Sequence, residues 1–296
     1  MRAEDLFETV TADLITAIET GAGEWRMPWH TITGLPRNLD GRAYRGINAL
    51  VLAMTAAAHG WSGRFATYRA IQHHGGQVRR GEHGTTVVLW KPIDRTRPEP
   101  SSEPDDAAPR RGLVARTFTV FAVEQTDGLP PVAPVEIDPA ARLVDADRYF
   151  TAVGATVRVG GDRAAYSPAA DVIVLPGFDR FDRVENFYAT SSHEHVHWTG
   201  HPSRLGRDLS GRFGDRSYAG EELVAELGAA FWCAQFGLLP ATRPDHAAYL
   251  AAWLGLLGAD PRALVTVCGH AQRALDHLNT LAGMSPVGCE GVDSQV

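Results

Sequence analysis

A five-residue histidine motif constrains this chain more than any other segment. His193, Glu194 and His197 form the pattern HExxH within the run SSHEHVHWTGH. On an α-helix the residues i and i+4 share a face, so the two histidines can bind one zinc ion through their imidazole nitrogens. Glu194 then lies beside the metal and can polarise a water molecule bound to it. The motif therefore predicts a helix over about 183–199 and a neighbouring element that supplies a third ligand.

The third ligand is not expected among the residues that directly follow the motif. Metzincins place a histidine six residues after the second one, and that position holds Ser203 here. His201 lies one helical turn beyond His197, but Gly200 and Pro202 are expected to end the helix before it. We therefore expect that His201 does not bind the metal.

A strongly helical segment further along the chain carries two carboxylates on one face. The segment YAGEELVAELGAAFW covers 218–232, and Glu222 lies 25 residues after His197. An antiparallel return of this helix would bring Glu222 to the metal as its third ligand. Glu226 lies one turn further on the same face and is predicted to hydrogen-bond the far nitrogen of a ligand histidine. Glu221 points about 100° away and is expected to face solvent.

The alternative interpretation is a solvated polar helix that is rich in histidine by chance. The two carboxylates on an otherwise apolar helix favour the metal site, because burying them without partners is costly. The arrangement resembles the gluzincin metallopeptidases, in which HExxH is followed by a helix carrying ExxxD, and Glu226 stands here in place of that Asp. A donor that stabilises an oxyanion would come from Tyr188, Tyr218 or His270, and the spacing favours none of them.

Composition and charge set broad limits on the class of protein. The 296 residues are 44% apolar and 21% charged, which is typical of a globular chain with two domains or one large one. No apolar run reaches the roughly 18 residues that span a bilayer, and the acidic N-terminus lacks the features of a signal peptide. The three cysteines are too widely spaced for a disulfide framework or a CxxC knuckle. We therefore expect a cytoplasmic protein.

Basic residues are concentrated in the N-terminal half, although the formal net charge of the chain is −7. From Arg37 to Lys91 there are eight Arg or Lys residues and two acidic residues, with aromatic residues among them. Single-strand binders combine a basic groove with aromatic faces on which bases stack, and the glycines of GGQVRRGEHG (75–84) would let the backbone approach phosphates. In the alternative, the aromatics are core and the arginines a solvated face, and we expect core positions for Trp61 and Phe65. The predicted DNA contacts are Tyr44, Arg45, Asn48, Arg79, Arg80 and Lys91.

Long segments in both halves resemble the ArdC-type antirestriction proteins. Those similar to the N-terminal domain of that family are YRGINAL (44–50), FATYRAIQHHGGQVRRGEHGTTVVLWKP (65–92) and FAVEQTDGLP (121–130). Those similar to its zincin-like C-terminal domain are YSPAADVIVLP (166–176), HEHVHWTGHPSRLGRDL (193–209) and YAGEELVAELGAAF (218–231). The chain departs from the family pattern at Ala122, where an aromatic residue or Asn is usual, at His195, where an apolar residue is usual, and in the unusually long loop 94–111. His195 could add a competing metal contact.

The resemblance implies a function that composition does not indicate. ArdC-type proteins travel on conjugative plasmids, bind single-stranded DNA through their N-terminal domain and protect incoming DNA from host restriction. The chain is thus expected to be a single-stranded-DNA-binding antirestriction protein of mobile elements with a zinc metallopeptidase-like domain. Coating of the DNA could suffice for protection, or zinc-bound water activated by Glu194 could hydrolyse a host protein. The alternative is a zinc-dependent peptidase whose basic domain recruits a protein substrate.

The expected fold class is α+β with two domains, an N-terminal α+β domain that binds single-stranded DNA and a mostly helical zincin-like domain with a small sheet. The expected helices are 4–20, 44–60, 65–76, 139–152, 183–199, 219–236, 245–257 and 261–282, and the expected strands are 85–90, 113–123, 156–160 and 171–176. The expected boundaries are 1–128 for the DNA-binding domain with a disordered loop at 94–111, 129–138 for a linker, 139–285 for the metallopeptidase domain and 286–296 for a flexible tail.

Overall fold

Two helices and a small sheet form the N-terminal half of the chain. The computed structural model describes residues 3–20, 34–94, 111–130, 139–208, 216–238, 246–260 and 262–284. Helix α1 (Ala3–Thr20) buries Leu6, Val10 and Leu14, which recur at helical spacing. Helix α2 (Ile47–His59) is apolar along most of its length and ends at Gly60, whose φ of 68° is the left-handed conformation that commonly ends a helix.

The N-terminal sheet is antiparallel and contains a long hairpin. The strands are β1 (Phe65–Thr67), β3 (Thr85–Asp94) and β4 (Arg111–Ala122), in the order β1-β4-β3. A short helix, α3 (Tyr68–His73), follows β1 and is capped by the hydroxyl of Thr67, which accepts a hydrogen bond from the amide of Ala70. The strands β2 (Gln77–Val78) and β5 (Thr126–Asp127) pair separately.

The C-terminal half places a small sheet beside a group of helices. It begins with α4 (Pro139–Val153) and the strands β6 (Val157–Val159), β7 (Ala165–Ser167) and β8 (Val172–Leu175). The strand β8 lies in the middle, parallel to β6 and antiparallel to β7. The helices that follow are α5 (Val184–Thr199), α6 (Arg216–Phe236), α7 (His246–Ala259) and α8 (Arg262–Leu281).

The two halves pack against each other over a shared hydrophobic core. One cluster of buried side chains includes residues of both halves, among them Leu50 of α2 and Leu275 of α8. Polar contacts also join the halves: Arg45 forms an ion pair with Asp276 of α8, and the amide of Gly46 donates to the side-chain oxygen of Gln272 at 3.0 Å. The position of α2 is therefore tied directly to α8.

The expected α+β fold class is confirmed, but the expected helix at 65–76 is wrong in its first turn. Residues Phe65–Thr67 form β1, and the helix covers only Tyr68–His73. Phe65 is completely buried and pairs with Ala122 of β4, so strand pairing overrides the local helical pattern. The strand β7 was not expected. Within the described residues, no helix has the length and hydropathy needed to cross a membrane.

Several segments named in the sequence analysis lie outside the described residues. These are the greater part of the loop expected to be disordered (95–110), most of the expected linker (131–138) and the whole of the expected tail (286–296). The hairpin strands β3 and β4 run further toward that loop than expected, since they include Asp94 and Arg111.

Candidate functional site

Helix α5 carries the histidine motif on a face that is turned into the protein. Every residue from Tyr188 to Val196 is buried, including the polar ones, which is unusual for a sequence so rich in histidine, serine and threonine. The Nε2 atoms of His193 and His197 lie 3.2 Å apart. Helical spacing thus directs both imidazole rings to one point.

Helix α6 packs along α5 and brings Glu222 to this histidine pair. Its Oε2 atom lies 3.6 Å from Nε2 of His193, and its Oε1 atom lies 3.5 Å from Nε2 of His197. The ligand atoms of these three residues all lie within 4.8 Å of one another. In a tetrahedral zinc site with bonds of about 2.0–2.1 Å, neighbouring ligand atoms are about 3.3–3.4 Å apart. The nitrogen and oxygen donors therefore fit a divalent ion with little movement.

The close approach of α5 and α6 depends on Gly228. A Cβ atom at this position would lie only 2.7 Å from a methyl carbon of Val196, which is completely buried. Val196 directly precedes His197, and Gly228 is on the same helix as Glu222. The missing side chain lets the two backbones approach, so the carboxylate on one helix reaches the imidazoles on the other.

The electrostatics of the cluster favour bound positive charge. Burial by itself lowers the pKa of His197, but hydrogen bonds with Glu221 and Glu222 outweigh burial and raise that pKa to about 10. Burial by itself raises the pKa of Glu222, and its contacts with His193 and His197 outweigh burial and hold that pKa below its usual range. A divalent cation would supply the positive charge in place of the imidazole proton.

Two further carboxylates lie behind the histidines. Oε2 of Glu226 is 3.5 Å from Nδ1 of His193, and Oε1 of Glu221 is 3.1 Å from Nδ1 of His197. Each histidine thus has a carboxylate at the nitrogen that does not face Glu222. The expectation that Glu221 faces solvent is wrong, because its side chain is only 10% exposed.

Glu221 is buried because Arg207 returns to it from the segment that follows α5. The Nε and Nη2 atoms of Arg207 donate to the two carboxylate oxygens of Glu221, each at 2.9 Å. The same guanidinium donates to the hydroxyl of Thr199 at 2.8 Å and to the carbonyl of Val196 at 2.6 Å. The sequence signal for this contact is an arginine soon after the motif helix, and spacing alone does not reveal its partner.

The other histidines of the cluster do not join the ligands. His195 is completely buried, with Nδ1 2.7 Å from the carbonyl of Ser191 and its ring 4.3 Å from that of Phe150. The Nδ1 atom of His201 lies 2.7 Å from the hydroxyl of Ser203. Among the described residues, His195 therefore does not form the competing metal contact considered from the sequence.

The three side chains considered as oxyanion donors differ in position. The hydroxyl of Tyr188 donates to Asp147 of α4 at 2.8 Å, and burial together with that carboxylate raises the pKa of Tyr188. The ring of His270 lies 3.0 Å from the guanidinium of Arg273. Tyr218 lies one helical turn before Glu222 on α6, which places it nearest to the ligands in sequence.

Three of the predicted DNA contacts are engaged within the protein. The hydroxyl of Tyr44 donates to a carbonyl at the start of β1 at 3.2 Å, and Arg45 pairs with Asp276. The side-chain amide of Asn48 donates to the carbonyl of Val88 at 2.7 Å and accepts from its amide at 2.8 Å. These side chains connect α2 to the sheet and to α8.

The other three predicted contacts are Arg79, Arg80 and Lys91, and they differ in whether their side chains have polar partners within the protein. Arg79 donates to the carboxylate of Glu82 at 2.9 Å and to the carbonyl of Thr126 at 3.1 Å, so it joins its loop to β5. Arg80 is exposed and Lys91 is partly buried. Neither side chain makes a hydrogen bond or ion pair with any residue in the part of the chain that the structure describes.

The aromatic residues of the basic region divide into core and surface positions. Phe65 is completely buried, and Trp61 is partly buried against the core with its ring stacked on that of His59 at 4.2 Å. Tyr68 and Trp90 remain 41% and 42% exposed, respectively. The expected core position of Phe65 is thus confirmed, Trp61 lies at the edge of the core, and Tyr68 and Trp90 are left at the surface.

Comparison with known proteins identifies the family. Residues 4–121 match the N-terminal domain of anti-restriction factor ArdC, and residues 144–270 match a zincin-like metallopeptidase family. The metal-free crystal structure of the antirestriction ArdC protein from the R388 plasmid is similar, with a TM-score of 0.75 and 39% identity over 94% of this chain and 98% of that chain. The chain belongs to the ArdC family. The ArdC-type resemblance and the two-domain α+β architecture are therefore confirmed.

A second structure of the R388 ArdC protein bears on the metal. It is described as Mn(II)-bound and matches with a TM-score of 0.73 and 37% identity over 95% of this chain and 99% of that chain. A zincin-like domain, a metal-bound ArdC relative and three convergent ligand side chains together imply a divalent metal in this ArdC family member.

Curated relatives contain a similar sequence in two settings. The uncharacterized protein y4eC of Sinorhizobium fredii (strain NBRC 101917 / NGR234) is 42% identical over 282 residues, which cover 93% of this chain and 92% of that protein. The DNA primase TraC of Escherichia coli is 37% identical over 287 residues, which cover 91% of this chain but 26% of TraC. The region like this chain is thus one part of the longer TraC protein.

Proposed function

We propose that this ArdC family member binds single-stranded DNA through its N-terminal half and protects incoming DNA of mobile elements, such as conjugative plasmids, from host restriction in the cytoplasm. The observation that carries the proposal is the similarity to nearly the whole of the R388 antirestriction ArdC protein at 39% identity. The concentration of basic residues in the N-terminal half of an otherwise acidic chain supports it, because phosphate backbones attract such patches.

We assign the phosphate contacts to Arg80 and Lys91, since neither has a polar partner among the described residues. Tyr68 and Trp90 keep exposed ring surface for base stacking, which is worth about 1–3 kcal/mol per base, and Trp90 also stacks on Phe7 of α1 with 6.1 Å between the ring centroids. Trp90 directly precedes Lys91 in β3, so the two side chains extend from opposite faces of the strand. The other predicted contacts, Tyr44, Arg45, Asn48 and Arg79, are engaged by other residues of the protein, and we propose that they support this surface.

We assign the metal ligands to His193, His197 and Glu222, with zinc as the ion and Glu226 orienting His193. Three protein ligands that leave a further position open are typical of catalytic rather than structural zinc sites. Such an ion would supply a Lewis acid that lowers the pKa of a bound water. Glu194 lies on α5 between the ligand histidines, is 4% exposed and interacts electrostatically with His197, so it is the base that the chain offers beside the ligands.

A second candidate function is a zinc-dependent peptidase that acts on a host protein, with the basic half recruiting that substrate. The observation that favours it is the buried carboxylate of Glu194 next to the ligand pair. The two candidates differ in what protects DNA. In the first, coating of the DNA suffices, whereas in the second a peptide bond of a host protein must be cleaved.

A gel-shift titration with single- and double-stranded DNA at two salt concentrations tests the first candidate. We expect single-strand binding that weakens steeply with salt, because phosphate contacts release counterions. The Arg80→Gln and Lys91→Gln variants should each bind more weakly and reduce the salt slope by about 1. Arg163→Gln, at an exposed position of the C-terminal half, is the matched control. No binding by the unchanged chain at low salt would rule out the proposal.

Protection of transferred DNA in a restricting host separates the two candidates. The Glu194→Ala variant keeps all three metal ligands and the basic surface, which is the surface around Arg80 and Lys91. If it protects as well as the unchanged chain, peptide hydrolysis is not the route. If protection is lost while metal content and DNA affinity are retained, the peptidase candidate is favoured.

A further inference from the structure

A buried ion pair lies directly behind one of the metal ligands and belongs to none of the roles assigned above. Oε1 of Glu221 lies 3.1 Å from Nδ1 of His197 and 2.9 Å from the NH2 group of Arg207, while its Oε2 atom accepts from Nε of Arg207 at 2.9 Å. The side chains of Arg207 and Glu221 are 5% and 10% exposed. The carboxylate is therefore held between a guanidinium and an imidazole, away from solvent.

We propose that Arg207 and Glu221 are positioning residues that hold His197 in the orientation and tautomer needed to bind a divalent ion, and that the ion affinity of this chain depends on them. The inference rests on the metal site of the proposed function. It adds two residues that lie outside the ligand set and that the sequence pattern does not indicate.

The hydrogen bond from His197 sets which nitrogen is free for a metal. A neutral imidazole carries one proton, and a carboxylate that accepts at Nδ1 keeps the proton there and leaves the lone pair on Nε2. Nε2 is the nitrogen that faces His193 and Glu222. Glu221 thus selects the tautomer in which His197 can act as a ligand.

Arg207 makes this arrangement possible inside the protein. A buried carboxylate without a partner is costly, and a bidentate guanidinium is a strong compensating partner. Arg207 also donates to the carbonyl of Val196 and the hydroxyl of Thr199 in the last turn of α5. It therefore links the turn of α5 that carries His197 to the turn of α6 that carries Glu221, next to the ligand Glu222.

The segment that carries Arg207 is itself held in place. The guanidinium of Arg204 lies 3.8 Å from the ring centroid of Trp198 and forms hydrogen bonds with Asp171 at the start of β8. The amide of Arg207 donates to the carbonyl of Gly200 at 2.9 Å. The guanidinium of Arg207 thus approaches Glu221 from a backbone fixed by short contacts, as expected for a residue that orients another.

Divalent-ion affinity of the full chain tests the inference. The variants are Glu221→Gln, which removes the charge and keeps the shape, and Arg207→Lys, which keeps a cation but loses the bidentate contact. Zn²⁺ and Mn²⁺ are titrated into metal-free protein in competition with a chromophoric chelator, and the melting temperature of the metal-free protein is recorded. Glu185→Gln is the matched control, because Glu185 lies on α5 but pairs with Arg183 near the surface.

We expect Glu221→Gln to weaken ion binding by about 10–100-fold, which is usual when a group that orients a metal-bound histidine is removed. Arg207→Lys should lose less, and Glu185→Gln should bind as the unchanged chain does. Affinities within about threefold of the unchanged chain for both variants would overturn the inference, even if the metal-free melting temperature falls, because the pair would then be structural only.

If Glu221→Gln does not fold, as judged by circular dichroism, the ion affinity of Arg207→Lys alone tests the inference. An affinity within about threefold of the unchanged chain would then overturn it. Absence of Zn²⁺ and Mn²⁺ binding by the unchanged chain would instead refute the metal site itself. The inference about Arg207 and Glu221 would then also be wrong, because it depends on that site. The unchanged chain thus tests the proposed function, and the difference between variants tests the positioning pair.

Discussion

The proposed metal cluster (His193, His197 and Glu222) and the proposed DNA-binding surface (Arg80, Lys91, Tyr68 and Trp90) of this ArdC family member differ greatly in how far their side chains are exposed. The side chains of His193, His197 and Glu222 are between 8% and 13% exposed, and buried hydrogen bonds set their positions. Arg80 and Trp90 in the N-terminal half reach solvent instead. Changes at the cluster should therefore alter metal binding and stability together, while changes at the surface should alter DNA affinity and leave stability intact.

The largest effect is expected from His193→Ala. Zinc sites bind with about 10–16 kcal/mol, so removal of one of three ligands should cost about 4 kcal/mol, or about a thousandfold in affinity. Metal content after gel filtration and chelator competition measure this loss. Affinity for single-stranded DNA should not change, and a folded variant that loses DNA binding would show that the two regions are not separable.

The next largest effect is on the pH dependence of the free energy of unfolding, to which the buried histidine His195 contributes. Burial lowers the pKa of His195 to about 4, below the value of about 6.5 expected in the unfolded chain. The unfolded state therefore binds the proton more readily, and the stability contributed by the neutral ring is complete above about pH 6.5 and is lost as the pH falls toward 4.

The His195→Leu variant removes this titration. In metal-free protein, the free energy of unfolding should fall between pH 7 and pH 5 by about 2 kcal/mol less in the variant than in the unchanged chain. Urea unfolding at the two pH values measures the difference. The same loss in both proteins would show that His195 is not the group that titrates.

A smaller effect is expected from Gly228→Ala, which tests the close approach that builds the metal cluster. Overpacking against Val196 should cost about 1–3 kcal/mol, partly offset by the roughly 1 kcal/mol that alanine adds to helix stability. Urea unfolding and zinc affinity should both decline. Gly255→Ala on α7 is the control, because a Cβ atom there meets no other atom within 4 Å and should be neutral or stabilising.

The smallest effect separates two neighbouring arginines of the basic surface. Arg79→Gln should lower the free energy of unfolding by about 1 kcal/mol, since Arg79 joins Glu82 and Thr126. Arg80→Gln should change it by less than about 0.5 kcal/mol while weakening DNA binding. Urea unfolding and gel shift measure the two effects. If Arg80→Gln lowered stability and Arg79→Gln weakened DNA binding instead, the roles that we assign to the two side chains would be wrong.

Local periodicity accounts for what could be predicted at the site. His193 and His197 share a face of α5 because the helical repeat depends only on sequence spacing, and Glu222 was singled out by a helical pattern with an embedded carboxylate. Long-range contacts account for what was missed. The sequence predicts that Glu221 faces solvent and that Phe65 lies in a helix. Each is decided by a partner distant in sequence, Arg207 in one case and Ala122 in the other.

The α+β class, the family and the shared face of the two histidines could all be predicted from the sequence, since each depends on motifs or spacing within short stretches of chain. Tertiary structure alone decided which charged side chains are used inside the protein. Arg45, Arg79 and Arg80 look alike in sequence, yet Arg45 pairs with Asp276, Arg79 donates to the carbonyl of Thr126, and the side chain of Arg80 has no polar partner among the described residues. The physical reason is that a partner for a charge is set by the packing of distant elements, such as α2 against α8.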